Sequence, residues 1–220
     1  GVPRKILATV ALVSLGWAAF EVVVATRRAS QLNLRIDEAR PVYLRLSEMA
    51  RADGEFEPDT GRRRVVFCPD IAQADRLPNA APQAVLWSPH MFVFSGVTLA
   101  EERERLYRQL YYSNIDAGRF ADFISRPHAY RIAVFGSARV INGLDATRAP
   151  VTPADLAAET RAYAAYISSF TRERAAETPL SYVVNAAAAG QTELENIDRW
   201  YTRDAGTRVG NYMIYRVKLR

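Results

Sequence analysis

The sequence predicts an α/β protein: an N-terminal transmembrane helix, then a mostly parallel open sheet flanked by helices, with a C-terminal edge strand. Three observations carry that expectation. Residues 6–25, ILATVALVSLGWAAFEVVVA, form an almost unbroken apolar run. Behind them, short β-branched and aromatic runs alternate with capped segments of helical period, the pattern of a sheet covered by helices. The last run, NYMIYRVKL, alternates apolar and polar residues, as a half-exposed edge strand does.

The apolar run has about the ~20 residues a helix needs to cross the hydrocarbon layer of a bilayer. Arg4 and Lys5 precede it and Arg27 and Arg28 follow, placed to reach headgroups on each side. Glu21 is the one charge inside. It sits about a turn from the end, where a carboxylate costs less than at the centre; its commoner reading is interfacial, and the alternative is a polar contact to another membrane helix. The run is longer than a signal-peptide core and lacks a clean small-x-small cleavage site. It is apolar on all faces, unlike a surface helix. The start on Gly1 suggests a fragment or a processed chain, with 6–25 the last span of a larger multi-pass protein. Arg27, Arg28, Arg35 and Arg40 enrich the C-terminal flank, which by itself favours a cytoplasmic domain.

The expected organisation is a transmembrane helix with its flanks over 1–28, a connecting helical segment over 29–58 and a soluble α/β domain over 59–220. Pro41 opens a helix with Val42, Leu46 and Met49 on one stripe, closed by Gly54 and Pro58. Arg62, Arg63 and Arg64 lead into VVFCPD, a buried strand. A turn-rich stretch with Pro78 and Pro82 precedes a second strand at 84–87, ended by Pro89. MFVFSGV reads equally as a third strand or an apolar loop. Thr98 caps a helix through Tyr112, with Glu101 at the capping-box position; Asp116 caps another through Ile124. YRIAVFG is the strongest strand signal, stopped by Gly136. Thr152 and Pro153 open one long helix over 153–177. LSYVVNA is a further strand, and 193–204 holds a short helix with Trp200 and Tyr201.

Composition excludes little but points away from some classes. The 220 residues carry 29 basic and 24 acidic side chains and a net charge of +5. The arginines are scattered among the acids and no nucleic-acid-binding motif accompanies them, so no nucleic-acid partner is expected. Cys68 is the single cysteine, which rules out an intrachain disulfide and a multi-cysteine zinc site.

Two constellations could carry chemistry. Cys68, Asp70 and His90 fall at the ends of two expected neighbouring strands, where α/β sheets bind ligands. They could hold a metal or pair a thiol with a base, although their spacing matches no metal motif. The commoner reading is a buried small residue and a loop histidine. His128, the other histidine, reads as a cap or surface group. The second is Phe135-Gly136-Ser137-Ala138-Arg139, with Ser137 and Arg139 placed as a phosphate-cradling turn after a strand. VFGSAR resembles the opening of the lysine-decarboxylase-like phosphoribohydrolases, but the PGGxGT-type loop of that family is missing here. The commoner reading is an ordinary turn. Arg103, Arg105 and Arg108 read as intrahelical partners of Glu101, Glu102 and Glu104 on a solvated face. Tyr107, Tyr111 and Tyr112 read more often as core than as a binding platform. G-x-S-x-G, H-E-x-x-H and P-loop lysine motifs are absent, and no catalytic residue, metal or cofactor is assigned.

A resemblance spans nearly the whole chain. An apolar span, a helix, VVFCPD, Leu77-Pro78, AVLW, TLAEERERLYRQLYY, LSYVV, DRWY and a closing YMIYRV follow in that order. This order resembles the C-terminal region of bacterial multi-pass membrane proteins of the GT-C glycosyltransferase kind, similar to dolichyl-phosphate-mannose-type mannosyltransferases. In that family a small α/β domain follows the last span, usually on the extracytoplasmic face, and the catalytic acids lie in an early loop outside this chain. The resemblance thus implies an accessory, non-catalytic domain whose partners are the lipid bilayer, other transmembrane helices of the same protein, and a lipid-linked sugar or its acceptor. Two alternatives stay open: a single-span membrane-anchored binding or scaffold protein, and a small membrane-anchored enzyme using Cys68, Asp70 and His90.

Overall fold

The computed structural model describes residues 3–54, 64–93, 96–126, 129–141, 149–188 and 191–220. His128, Arg62 and Arg63 lie outside them, as does the Phe94-Ser95 pair of the ambiguous MFVFSGV run. The chain divides into two compact units, Gly1–Arg40 and Pro41–Arg220.

Helix α1 runs over Arg4–Ala52, with Pro41 inside it rather than opening it. Proline removes one i to i−4 hydrogen bond but does not by itself end a helix. In the first unit, Arg4–Gln31 is long and apolar enough to cross a membrane, and none of its apolar window is buried. Leu12, Val13, Leu15 and Trp17 all stand exposed. The indole Nε1 of Trp17 donates to Glu21 at 2.8 Å, so the one acid in the run has a partner a turn away on its own helix.

The second unit is an open six-stranded sheet with helices on both faces. Its strands are β1 (Val65–Phe67), β2 (Ala84–Val85), β3 (Leu180–Ala186), β4 (Tyr201–Arg203), β5 (Thr207–Val209) and β6 (Tyr212–Leu219), in the order β2-β1-β3-β6-β4, with β5 also on β6. β1 pairs in parallel with β2 and β3, and the C-terminal strands add antiparallel. β6 therefore lies one place in from the edge, which is formed by the β4–β5 arm folding back on it. The arm turns through Gly206 at φ +74°, where an added Cβ would lie 2.6 Å from the Tyr215 ring. Only glycine fits both demands.

Between β1 and β2 lies α2 (Ile71–Arg76); between β2 and β3 lie α3 (Leu99–Tyr112), α4 (Ala117–Ser125), α5 (Ala129–Phe135), α6 (Ser137–Val140), α7 (Pro153–Ser168) and α8 (Arg172–Glu177); α9 (Glu195–Trp200) precedes β4. The capping expected at Thr98, Asp116 and Thr152 is present: each side chain accepts a backbone N–H in the next turn, and Thr98–Glu101 and Thr152–Asp155 close full capping boxes.

Three local expectations are corrected. YRIAVFG is not a strand: α5 occupies Ala129–Phe135 and buries Ile132, Ala133, Val134 and Phe135. A short apolar run has no period to distinguish a buried helix from a strand, and packing on α3 decides for helix. The helix expected over 153–177 breaks in two, because Phe170 leaves it to stack on Tyr111 at 4.1 Å and Thr171 recaps α8. The arginine-glutamate ladder of α3 is not wholly solvated. Arg108 and Glu102 are buried, and Arg108 reaches Glu177 of α8 as well as Glu104.

The two faces of the sheet pack differently. Phe67, Val183 and Val217 meet an aromatic layer in which Tyr107, Tyr112, Phe120, Tyr163 and Phe170 interlock. The tyrosines of α3 are thus core. The opposite face, with Val66, Tyr182, Val184 and Ile214 buried, belongs to Pro41–Ala52 of α1 and to α2, which bury Val42, Leu46, Met49 and Ala74. Hydrogen bonds secure this layer: Tyr182 Oη donates to Asp53 at 2.6 Å, and Gln83 Nε2 to the Leu46 carbonyl at 2.8 Å.

Candidate functional site

Chain leaving β1 crosses to β2 on one side; chain leaving β3 turns to β6 on the other. The loops diverge, so a crevice opens at the C-terminal ends of two adjacent parallel strands, the place where open α/β sheets bind ligands. A cleft of about 350 Å³ lies there. Cys68, Pro69 and Asp70 bound it on the β1 side; Asn185 and Glu193 on the β3 side; Asn211 and Tyr212, where β6 begins, close it.

Asp70 has two tasks in reach. Its Oδ1 accepts the Ala72 and Gln73 N–H groups as the N-cap of α2, while Oδ2 has no hydrogen bond among the described residues. Asn185 is buried at 7% exposure near the end of β3, directly after the apolar pair Val183-Val184. Its Oδ1 accepts the Ala186 N–H at 3.0 Å, and its Nδ2 donates to nothing among the described residues. Tyr212 Oη accepts from Gln73 Nε2 at 3.2 Å, and Gln73 Oε1 accepts from Tyr43, so a chain of polar groups, buried at Tyr43 and Gln73 and half-buried at Tyr212, ties α1, α2 and β6 beneath the cleft. Burial, with the nearby Cys68 adding, pushes the Tyr43 hydroxyl up to about 12, which keeps it a donor.

Cys68 does not offer a reactive thiol. It is 2% exposed, its Sγ donates weakly to the Asp70 carbonyl at 3.4 Å, and burial first, then the Asp70 charge, pushes its pKa up to about 12. A thiol held neutral is a poor nucleophile and a poor metal ligand. Of the three residues expected to converge, only Cys68 and Asp70 share the cleft. His90 does not line it: the residue sits in a 3₁₀ turn over Pro89–Val93 and its ring binds Asp75, with the His90 N–H also donating to that carboxylate. Among the described residues no three His, Cys, Asp or Glu side chains gather around a common point.

Ser137 and Arg139 stand elsewhere and do another job. The segment before them is helix α5, so no strand delivers a phosphate-cradling turn; Gly136, at φ +81°, joins two helices. Arg139 binds Asp155 at 2.8 Å and the Ala149 carbonyl at 3.2 Å, which fastens α6 to the start of α7.

Asn185, Glu193, Asn211 and Tyr212 were not singled out by sequence. Only Asn185 carried a signal, as a carboxamide closing the run LSYVV. Comparison with protein-family models, curated proteins and solved structures finds no match, so the functional reading of this chain rests on its own sequence and geometry.

Proposed function

We propose that this chain is a membrane-attached binding domain, the accessory and non-catalytic C-terminal part of a glycosyltransferase-like integral membrane protein, which holds the polar head of a lipid-linked sugar or of its acceptor. The observation that carries the reading is the crevice at the ends of β1 and β3. Its polar lining is carboxylate, carboxamide and phenol, with no cation among the described residues. Such groups accept from and donate to hydroxyls, and Asn185 brings a donor that folding leaves uncommitted among the described residues. Cys68 held neutral and His90 turned to Asp75 favour binding over thiol or acid–base chemistry. The exposed apolar helix Arg4–Gln31 supports attachment to a bilayer.

The test has two arms. Alkaline carbonate extraction of cells expressing the full chain should leave it in the membrane pellet; release into the supernatant overturns the attachment. Saturation-transfer NMR on the full chain in neutral detergent, with methyl glycosides of mannose, glucose and galactose, should transfer signal to at least one of them. Asn185→Leu and Glu193→Gln should each weaken it. Absence of transfer from all three, or transfer indifferent to both substitutions, overturns sugar binding in the crevice.

A further inference from the structure

Two carboxylates bound the crevice at the ends of β1 and β3, one on each side of the opening: Asp70 in the loop leaving β1 and Glu193 in the 3₁₀ turn Gln191–Leu194 that follows β3. No lysine, arginine or histidine among the described residues lines it. Two arginines of the surrounding elements stand back from it. Arg208 of β5 donates its Nε to the Gly210 carbonyl at 3.2 Å, and Arg76, in the last turn of α2, places its charge near Tyr43 behind the crevice.

Folding leaves these carboxylates with acceptor capacity. Asp70 uses Oδ1 to cap α2 and keeps Oδ2 without a hydrogen bond among the described residues. Glu193 is exposed, with neither a hydrogen bond nor an ion pair among them. Asn185, 7% exposed, lines the same crevice. Its Oδ1 is turned to the Ala186 N–H, so the group it offers the crevice is the Nδ2 donor. A buried donor without a partner calls for an acceptor on whatever fills the space beside it. Alternation along β3 puts Asn185 on the sheet face of Val183 and leaves Val184 on the other; the crevice lies across the strand ends and takes lining from both faces.

We infer, on the reading that the crevice holds a sugar head, that it selects that head by charge: it favours one bearing a protonated amine, takes a neutral one less well and rejects an anionic one. Asp70 Oδ2 and Glu193 are the acceptors for the ammonium, and Asn185 Nδ2 is the donor to a ring or hydroxyl oxygen. An ammonium group has three donors and no acceptor, and its hydrogen bonds to carboxylates are charge-assisted. No single atom of the occupant has to meet both carboxylates. Every point of a cleft of about 350 Å³ lies within about a Debye length of its walls, ~10 Å at 0.1 M salt, so both charges act on the occupant. A phosphate or a uronate brings only acceptors to these carboxylates and is repelled by them.

The full chain in neutral detergent is titrated with methyl glycosides of glucose, mannose and galactose, each as the parent, the 6-amino-6-deoxy sugar and the uronate, read by ligand-observed NMR. The amine should bind about fivefold more tightly than its parent, the scale of one exposed ion pair. That advantage should shrink as sodium chloride rises, and the uronate should not bind. Glu193→Gln and Asp70→Asn should each bring the amine closer to the parent, and together equalise them. Asparagine caps a helix as well as aspartate does, so α2 keeps its start; near-UV circular dichroism reports the fold. Asn185→Leu should weaken amine and parent alike and preserve their ratio. Equal binding of amine and parent in wild type, a uronate that binds as well as the parent, or a ratio unmoved by the double substitution overturns charge selection and leaves sugar binding standing. Binding of the amines alone upholds charge selection and removes neutral sugars from the crevice. Silence of all the glycosides overturns both.

Discussion

The two ends of the sheet are held by different physics. At the crevice end the strands finish in diverging loops, and the support beneath is an uncharged chain, buried at Tyr43 and Gln73 and reaching half-buried Tyr212. At the opposite end, where β1 and β3 begin, Asp53 stitches α1 to the sheet through Tyr182, Arg216 and Arg64, in partial contact with water. A neutral buried network fails when one partner goes missing, because the rest cannot be rehydrated. A half-solvated ion-pair cluster degrades gradually, with salt and pH. The crevice end should therefore respond sharply to mutation and alkali, the opposite end mildly and to acid.

The largest difference concerns Cys68. The folded state keeps its thiol protonated to about pH 12, against an ordinary value of 9.0, so the unfolded chain releases that proton first. Stability is thus lost as pH rises from about 9 towards 12, by up to about 4 kcal/mol from this group. Denaturant unfolding at stepped pH should show a steeper alkaline loss in wild type than in Cys68→Ala, because the substitution removes the thiol and also its upward push on Tyr43, while the other buried tyrosines contribute to both. The native thiol should also resist Ellman's reagent until the protein is denatured. Rapid labelling of the folded chain would contradict the buried, neutral thiol.

Next comes Gln73→Ala. It leaves the Tyr43 hydroxyl buried without an acceptor, which costs about 1–3 kcal/mol; chemical denaturation that finds no loss would break the proposed contrast between the ends.

Asp53→Asn should cost about 1 kcal/mol at neutral pH, less at high salt. Desolvation pushes the Asp53 carboxyl up, but hydrogen bonds from Arg216 and Tyr182 and the arginine charges outweigh it, and its pKa lies below the ordinary 3.8. Its stabilisation is complete above that ordinary value and disappears as pH falls through the lower folded value. Urea titrations at pH 5 and at pH 2.5 should therefore differ more in wild type than in Asp53→Asn, the lowered carboxyls of Glu101 and Asp155 contributing to both.

The smallest effect is expected for His90→Ala. The ring is 68% exposed and its pairing with Asp75 is a surface contact, so stability should change by less than about 1 kcal/mol. Glycoside binding in the crevice should not change; a clear loss would return His90 to the site.

The parts of the fold legible in sequence are those whose signals are local. Thr98 with Glu101 and Thr152 with Pro153 announced helix starts, because a cap is a contact between residues three apart. LSYVVNA and NYMIYRVKL announced strands through their composition and alternation. YRIAVFG misled because an all-apolar run fits either a sheet interior or a helix packed on all sides, and the neighbour that chooses, α3, lies far off in sequence. Asp70 was placed at the site because it follows a strand. His90 was drawn in by the same rule and removed by Asp75, a partner that strand-end reasoning does not supply.

The amino-acid sequence alone determined an apolar N-terminal helix of membrane-crossing length, an α/β body behind it and the helix starts capped by Thr98, Asp116 and Thr152, since each depends on composition or on neighbours within one or two turns. Tertiary structure alone decided that β3 lies beside β1. That single pairing joins segments more than a hundred residues apart and opens the crevice where their loops part. Pairing across such a distance is selected by how whole layers bury their apolar faces, and no short stretch of sequence encodes that choice.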